Sequence, residues 1–243
     1  MSSIGAFFDI DGTLYRNSLM IEHFKKLMKY EVIDPALWHT KVKGTYENWE
    51  KRRGNYDDYL LELADVYINA LKGLDKNMLE FITNQVIDRK GDNVYVYTRE
   101  MIRWHKEQNH RILFISGSPS FLVRKMAEKY GVDDYKASFY EVDSLNRFTG
   151  EIHQMWDSEN KKKAMNAFVK DYAIDLSKSY AYGDTAGDLS MFEMVAHPVA
   201  INPTKELLMG IKSRKDLSER MEIIVERKDL IYHLDASVEI GEK

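Results

Sequence analysis

Phe7-Phe8-Asp9-Ile10-Asp11-Gly12-Thr13 decides the fold class. The apolar run Ile4–Ile10 reads as a buried strand, and it delivers two carboxylates two residues apart. The strand's period of two points both the same way. Gly12 then lets the backbone turn sharply. Strand ends in parallel sheets are where α/β proteins bind ligands. Paired carboxylates repel each other, so such a site wants a divalent cation or a shared proton. The bland alternative is a turn whose Asp and Gly only shape the backbone.

Working outward, short apolar runs recur at Arg111–Ile115, Ser179–Tyr182 and His197–Ile201, each followed by turn residues and a helical pattern. That texture predicts buried parallel strands in an α/β sheet. Glu222–Val225 is the last candidate strand, and Arg227–Lys243 runs on beyond any evident need of the sheet. From about Ser18 to Asn109 the chain is helical instead, with periodicities over Leu19–Tyr30, Tyr56–Leu71, Met78–Ile87 and Tyr97–Gln108. Pro35, Gly73 and Gly91-Asp92 punctuate it. An insertion of that size exceeds a crossover and reads as a cap domain. Phe139–Ile152 alternates and turns near Ser144–Asn146, which predicts a β-hairpin.

Composition narrows the class of function. The chain has 243 residues and a net charge of −4, so no overall basic field invites nucleic acid or an anionic membrane. Its absence of cysteine excludes disulfides, thiolate metal sites and thiol catalysis together. No signal peptide is visible at Met1-Ser2-Ser3-Ile4-Gly5, and no apolar run approaches the roughly 18 residues that span a bilayer. A soluble, cytoplasmic protein is expected.

Three further stretches carry candidate chemistry. Ile115-Ser116-Gly117-Ser118-Pro119 ends a strand in a hydroxyl and a Gly turn. Free N–H groups at the following helix would cradle a phosphate, although a simple Ser cap explains the same residues. Tyr182-Gly183-Asp184-Thr185-Ala186-Gly187-Asp188 again ends a strand in acids. Hard carboxylate oxygens suit Mg²⁺, and helix caps account for them equally well. Lys161-Lys162-Lys163 is a basic run of the kind that usually forms a solvated face.

Taken together and in this order, the stretches resemble the haloacid dehalogenase superfamily, in its phosphoserine-phosphatase-like branch with a helical C1-type cap. Asp9-Ile10-Asp11-Gly12-Thr13, Phe114-Ile115-Ser116-Gly117-Ser118, Lys161, Gly183-Asp184-Thr185-Ala186-Gly187-Asp188 and Ala196-His197-Pro198-Val199-Ala200-Ile201-Asn202-Pro203 carry the likeness, over about residues 4–17 and 110–226. Lys161 is preferred to its neighbours because it precedes Asp184 by 23 residues, a spacing that resembles the family's.

The resemblance implies that Asp9 is the nucleophile and that Asp11 is the general acid and base. It implies Mg²⁺ held by Asp9, the backbone carbonyl of Asp11 and Asp184, with Asp188 behind them. Ser116 and Lys161 would be catalytic, and Gly12, Ser116, Gly117 and Lys161 would hold the phosphate. The second acid, Asp11, favours phosphate esters over dehalogenation. The implied activity is a Mg²⁺-dependent phosphatase acting on a small phosphorylated metabolite through an aspartyl phosphate. A phosphotransferase or mutase using the same intermediate, and a non-catalytic Mg²⁺- and phosphate-binding regulator, are the alternatives. A glycosyltransferase metal motif fits poorly, because only eight residues precede Asp9.

Departures bear on the substrate. Asn17-Ser18 stands where phosphoserine phosphatases carry a glutamate, with Glu22 one helical turn on, and Gly187 stands where they commonly have Asn. Their Ser-Leu-x-x-Arg-Val stretch has no counterpart here. Tyr30, Trp38, His39, Tyr46, Trp49, Tyr56 and Tyr59 form an aromatic stripe that reads first as helix packing. The expected architecture is a three-layer, Rossmann-like α/β fold with a mainly parallel sheet. Residues 1–17 and 106–243 form its core, and residues 18–105 form the inserted helical cap.

Overall fold

The computed structural model describes residues 2–241. Along the chain, strand β1 (Gly5–Phe8) is followed by helices α1 (Leu19–Lys29), α2 (Lys43–Glu50), α3 (Tyr56–Leu71) and α4 (Lys76–Lys90). A π-helical turn, Trp38–Val42, leads directly into α2. Then come α5 (Val96–Glu107), β2 (Arg111–Pro119), α6 (Ser120–Tyr130), β3 (Asp134–Val142) and β4 (Phe148–His153). The last part holds α7 (Ser158–Tyr172), β5 (Tyr180–Gly183), α8 (Leu189–Met194), β6 (His197–Ile201), α9 (Lys205–Lys212), α10 (Lys215–Arg220), β7 (Glu222–Arg227) and β8 (Leu230–Leu234).

The chain divides into two compact units, one of residues 1–18, 91–138 and 154–243, the other of residues 19–90 and 139–153. In the first, strands run in the order β3-β2-β1-β5-β6-β7-β8. All pairs are parallel except the closing β7–β8 hairpin. The fold is therefore the expected α/β type with a mainly parallel sheet. Every residue of β1 is buried, as a central strand covered on both faces requires. Phe7, Leu113, Ala181 and Ala200 face one way and pack with Met165, Phe168, Met191 and Phe192 of α7 and α8. Phe8 and Tyr182 face the other way, stacked with ring centroids 4.2 Å apart and met edge-on by His105 of α5. Burying each such aromatic contributes about 1.5–3 kcal/mol.

Helix ends follow local chemistry. Asp157 caps α7 by accepting from Asn160 N at 2.8 Å, and Thr204 caps α9 by accepting from Leu207 N at 3.3 Å. Gly131 ends α6 in the left-handed region at φ +55°.

Three features differ from the sequence reading. The segment 91–105, read as part of the cap, belongs with the first unit and not with residues 19–90. Tyr95 N donates to Leu14 O, Thr98 Oγ1 donates to Thr13 O, and His105 contacts Tyr182 OH, so α5 is tied to the sheet along its length. The hairpin residues 139–153 cluster with residues 19–90, because Gly73 N donates to Phe148 O and Lys76 N to Asn146 O. Past Arg227 the chain adds β8 and buries Ala236, so part of that segment completes the sheet and its core.

In the second unit His23 is buried between Tyr67 OH at 2.7 Å and Thr83 Oγ1 at 3.3 Å. Trp38, Tyr46, Trp49, Tyr56 and Tyr59 contact one another ring to ring, with Tyr59 fully buried among them. Five members of the aromatic stripe thus pack on one another, whereas Tyr30 and His39 are exposed. Among the described residues no helix is long and apolar enough to cross a membrane.

Candidate functional site

The site is assembled at the carboxyl ends of β1, β2 and β5. Asp9 N donates to Tyr182 O at 3.0 Å, carrying the strand ladder one residue past β1. The chain then folds tightly, with Leu14 N and Tyr15 N both donating to Ile10 O. Gly12 sits at φ +83°, and a Cβ there would collide with the Asp184 carboxylate. Both its conformation and its closeness to Asp184 call for glycine.

Lys161 is the centre of the charge arrangement. It is 3% exposed, and its Nζ donates to Asp9 Oδ1 at 2.8 Å and to Asp188 Oδ1 at 2.5 Å. Lys162 and Lys163 are exposed, and Lys163 pairs with Glu159 instead. Helical geometry separates them: the three successive side chains splay around α7, and only that of Lys161 turns inward.

Asp188 is fully buried, and both its oxygens are engaged. Oδ2 accepts from Asp184 N and Thr185 N at 3.0 Å each and from Thr185 Oγ1 at 3.3 Å, closing a capping box. A Cβ on Gly183 would lie 2.5 Å from Asp188 Cβ, so this glycine makes room for the acid. Thr13 Oγ1 donates to Asp184 Oδ1 at 3.0 Å. Asp9, Asp184 and Asp188 each present a carboxylate oxygen within 4.8 Å of the others.

Crowding buried carboxylates this way shifts their titration. Burial pushes Asp9 up to about 7, Lys161 opposes the shift and Asp188 adds to it. Asp184 is pushed well above the usual carboxylate range by burial and then by Asp9 and Asp188. Burial works against the Lys161 ammonium, but Asp188 and Asp9 outweigh it and hold its pKa above the ordinary lysine value. One buried ammonium is shared by Asp9 and Asp188, with the half-buried Asp184 beside them. A hard divalent cation fits this all-oxygen donor set. Among the described residues Asp9 Oδ2 and Asp184 Oδ2 accept no protein hydrogen bond, so these two carboxylates could hold such an ion.

The second stretch arrives differently from its reading. Ser116 is fully buried, and its Oγ accepts from Ser118 N at 3.1 Å. The hydroxyl that reaches a carboxylate is that of Ser118, which donates to Asp11 Oδ2. Gly117 lies against Trp156, where a Cβ would come 2.9 Å from Trp156 Cβ. Thr13, Ser118 and Thr185 were thus missing from the candidate residues. All three stand inside the stretches already quoted, but residue type alone did not separate them from ordinary turn hydroxyls.

Residues 6–193 match the family model described as haloacid dehalogenase-like hydrolase. The chain is 26% identical to the "Inhibition of morphological differentiation protein" of Streptomyces azureus, over 83% of this chain and 73% of that protein. It is 24% identical to a histidinol-phosphatase of Neisseria meningitidis serogroup C (strain 8013), over 86% of this chain and 95% of that one. Its fold is similar to that of a phosphoserine phosphatase solved as a phospho-aspartyl intermediate analogue, with a TM-score of 0.59 at 20% identity, covering 94% of this chain and 96% of that one.

Proposed function

The chain belongs to the haloacid dehalogenase-like hydrolases, and on that premise we propose that it is a Mg²⁺-dependent phosphomonoester hydrolase acting on a small phosphorylated metabolite. The observation that carries this reading is the Asp9–Lys161–Asp188 arrangement, with Asp11 held beside it by Ser118. The histidinol-phosphatase relative supports the reaction class.

In this reading Asp9 Oδ attacks phosphorus, and the bond from phosphorus to the ester oxygen breaks. Asp11 gives its proton to the departing alkoxide. In the second half Asp11 takes a proton from water, the water oxygen attacks phosphorus, and Asp9 is released with inorganic phosphate. One carboxyl serves both halves because they need opposite proton movements. Ser118 fixes the orientation of that carboxyl through Oδ2. Lys161 balances charge on Asp9 and on the phosphoryl oxygens, while Asp188 holds Lys161 and the Asp184 backbone in place. Gly12, Ser116 and Gly117 would let backbone N–H groups approach the phosphate.

Asp9, the Asp11 backbone carbonyl and Asp184 would hold Mg²⁺, which when bound offsets the repulsion between anionic nucleophile and anionic phosphate. The unit of residues 19–90 and 139–153 would serve as the cap that selects the substrate; its helical make-up and its insertion after β1 support that role.

The test is phosphate release from p-nitrophenyl phosphate and a panel of phosphometabolites, with and without Mg²⁺, beside Asp9→Asn. Mg²⁺-dependent turnover that Asp9→Asn lowers at least about a thousandfold is expected. A folded wild-type protein with no turnover on any ester would overturn the reading.

A further inference from the structure

The turn at Gly117 and the acid loop at Gly187 press against the same residue, Trp156. A Cβ on Gly117 would lie 2.9 Å from Trp156 Cβ and 3.4 Å from its Cα. A Cβ on Gly187 would lie 2.6 Å from Trp156 O. Neither glycine is among those with positive φ, so what demands glycine at both places is space. The departure at Gly187 thus has a local cause.

The strap that contains Trp156 is also lashed down by hydrogen bonds. Ser138, fully buried, donates its Oγ–H to Gly117 O at 2.7 Å and accepts from Met155 N at 3.1 Å. Past Trp156, Asp157 caps α7, and Lys161 N donates to Asp157 O at 3.0 Å. Ser190 Oγ donates to Ser158 O at 2.6 Å, tying the start of α7 to the helix that follows Asp188. One short segment therefore touches the hydroxyl-bearing turn, the acid loop and the helix that carries Lys161. Ser138 and Gln154 are also the last residue before, and the first after, the excursion of the chain into the other unit.

We propose that the strap Met155–Trp156, clasped to Gly117 through Ser138, sets the spacing between the Ser116–Ser118 turn and the Asp184–Asp188 loop. Ser138 and Trp156 are then positioning residues: they touch no reacting atom and act through the two turns they hold apart. The kinetic part of this inference rests on the phosphatase reading. A phosphoryl group gripped by one turn must lie in line with a nucleophile whose surroundings are set by the other. A displacement near 1 Å costs about a hundredfold in rate without an equal cost in binding.

The experiment compares Ser138→Ala, which removes the clasp without adding bulk, with Ser138→Thr, which keeps the hydroxyl. On p-nitrophenyl phosphate with Mg²⁺, Ser138→Ala should lower kcat about ten- to a hundredfold and leave KM within about threefold. Ser138→Thr should recover most of kcat. Amide hydrogen exchange read on the same proteins should quicken about tenfold in residues 116–118 and also in 184–188, which Ser138 does not itself touch. Gly187→Ala, pressing on the strap from the far side, should disturb exchange at 116–118.

Wild-type kcat in Ser138→Ala, or exchange changes confined to 116–118, would overturn the strap. So would equal losses in the Ala and Thr variants that track a fall in Tm. If the wild-type protein itself turns over no ester, the phosphatase reading fails, and the exchange measurement alone decides the strap.

Discussion

Lys161 Nζ donates to Asp188 Oδ1 at 2.5 Å, and neither side chain is open to solvent. A buried ammonium is tolerated there because acids flank it, and the acids are tolerated because of the ammonium. Removing one partner of such a pair leaves uncompensated buried charge, at a cost of about 3–5 kcal/mol. Lys161→Met is therefore expected to lower Tm by about 10 °C and to abolish turnover. Thermal unfolding followed by circular dichroism checks the first, and a variant as stable as wild type would contradict the account of the pair.

Asp184 and Asp188 should separate in their dependence on Mg²⁺. Asp184 keeps an oxygen without a protein hydrogen bond, whereas both Asp188 oxygens are engaged. Asp184→Asn should raise the Mg²⁺ concentration for half-maximal activity more than about a hundredfold, and Asp188→Asn by about tenfold, as expected of a residue behind the ligands. Titration of activity with Mg²⁺ reads both, and the opposite ranking would assign the metal to Asp188.

Ser118 donates to Asp11 Oδ2, while Ser116 Oγ accepts from the Ser118 backbone. Ser118→Ala should remove the hydrogen bond at Asp11 Oδ2 and lower kcat about tenfold. The acidic and basic limbs of the kcat–pH profile should shift with it, since one group serves both half-reactions. An unchanged profile would remove Ser118 from the site.

Acid should destabilise the fold through two buried histidines. Burial holds His23 down to about 3, and His105 is likewise held to about 3 by burial and then by His110. Both folded values lie below the ordinary 6.5. Above 6.5 both states are neutral, so the full stability is present. Below it the unfolded chain takes up protons that the fold refuses, and stability is lost as pH falls toward 3. Between about pH 7.5 and about pH 5.5 each histidine should remove about 1.4 kcal/mol. Asp9 and Asp184, held high, pull the other way over the same interval, so urea unfolding at the two pH values is compared between wild type and His23→Gln, whose pH dependence should differ by about 1.4 kcal/mol. An identical pH dependence in wild type and His23→Gln would show that the His23 imidazole is not buried in the neutral form.

Legibility in the sequence followed the range of the forces involved. Strand His197–Ile201 and helix Tyr56–Leu71 fall where the apolar run and the helical period placed them, because burial of a whole strand or of one helix face is written into neighbouring residues. The two strand-end acids Asp9 and Asp11 and the Gly12 turn were readable for the same reason: strand period and left-handed φ are local properties. The helices between residues 37 and 50 escaped, since Trp38–Val42 is a π-helical turn that breaks the 3.6-residue repeat. β8 escaped because four of its five residues are exposed and show no alternation.

By itself the sequence determined the α/β class, the parallel core strands and the acids at their ends, all consequences of short-range pattern. The resemblance already preferred Lys161 among the three lysines; only the tertiary structure decided that it is buried between Asp9 and Asp188, that Ser118 and not Ser116 reaches Asp11, and that residues 91–105 belong with the sheet. Those outcomes depend on groups brought together from positions 27, 107 and 152 residues apart. Contacts at such separations are set by packing and charge in three dimensions, and no local pattern encodes them.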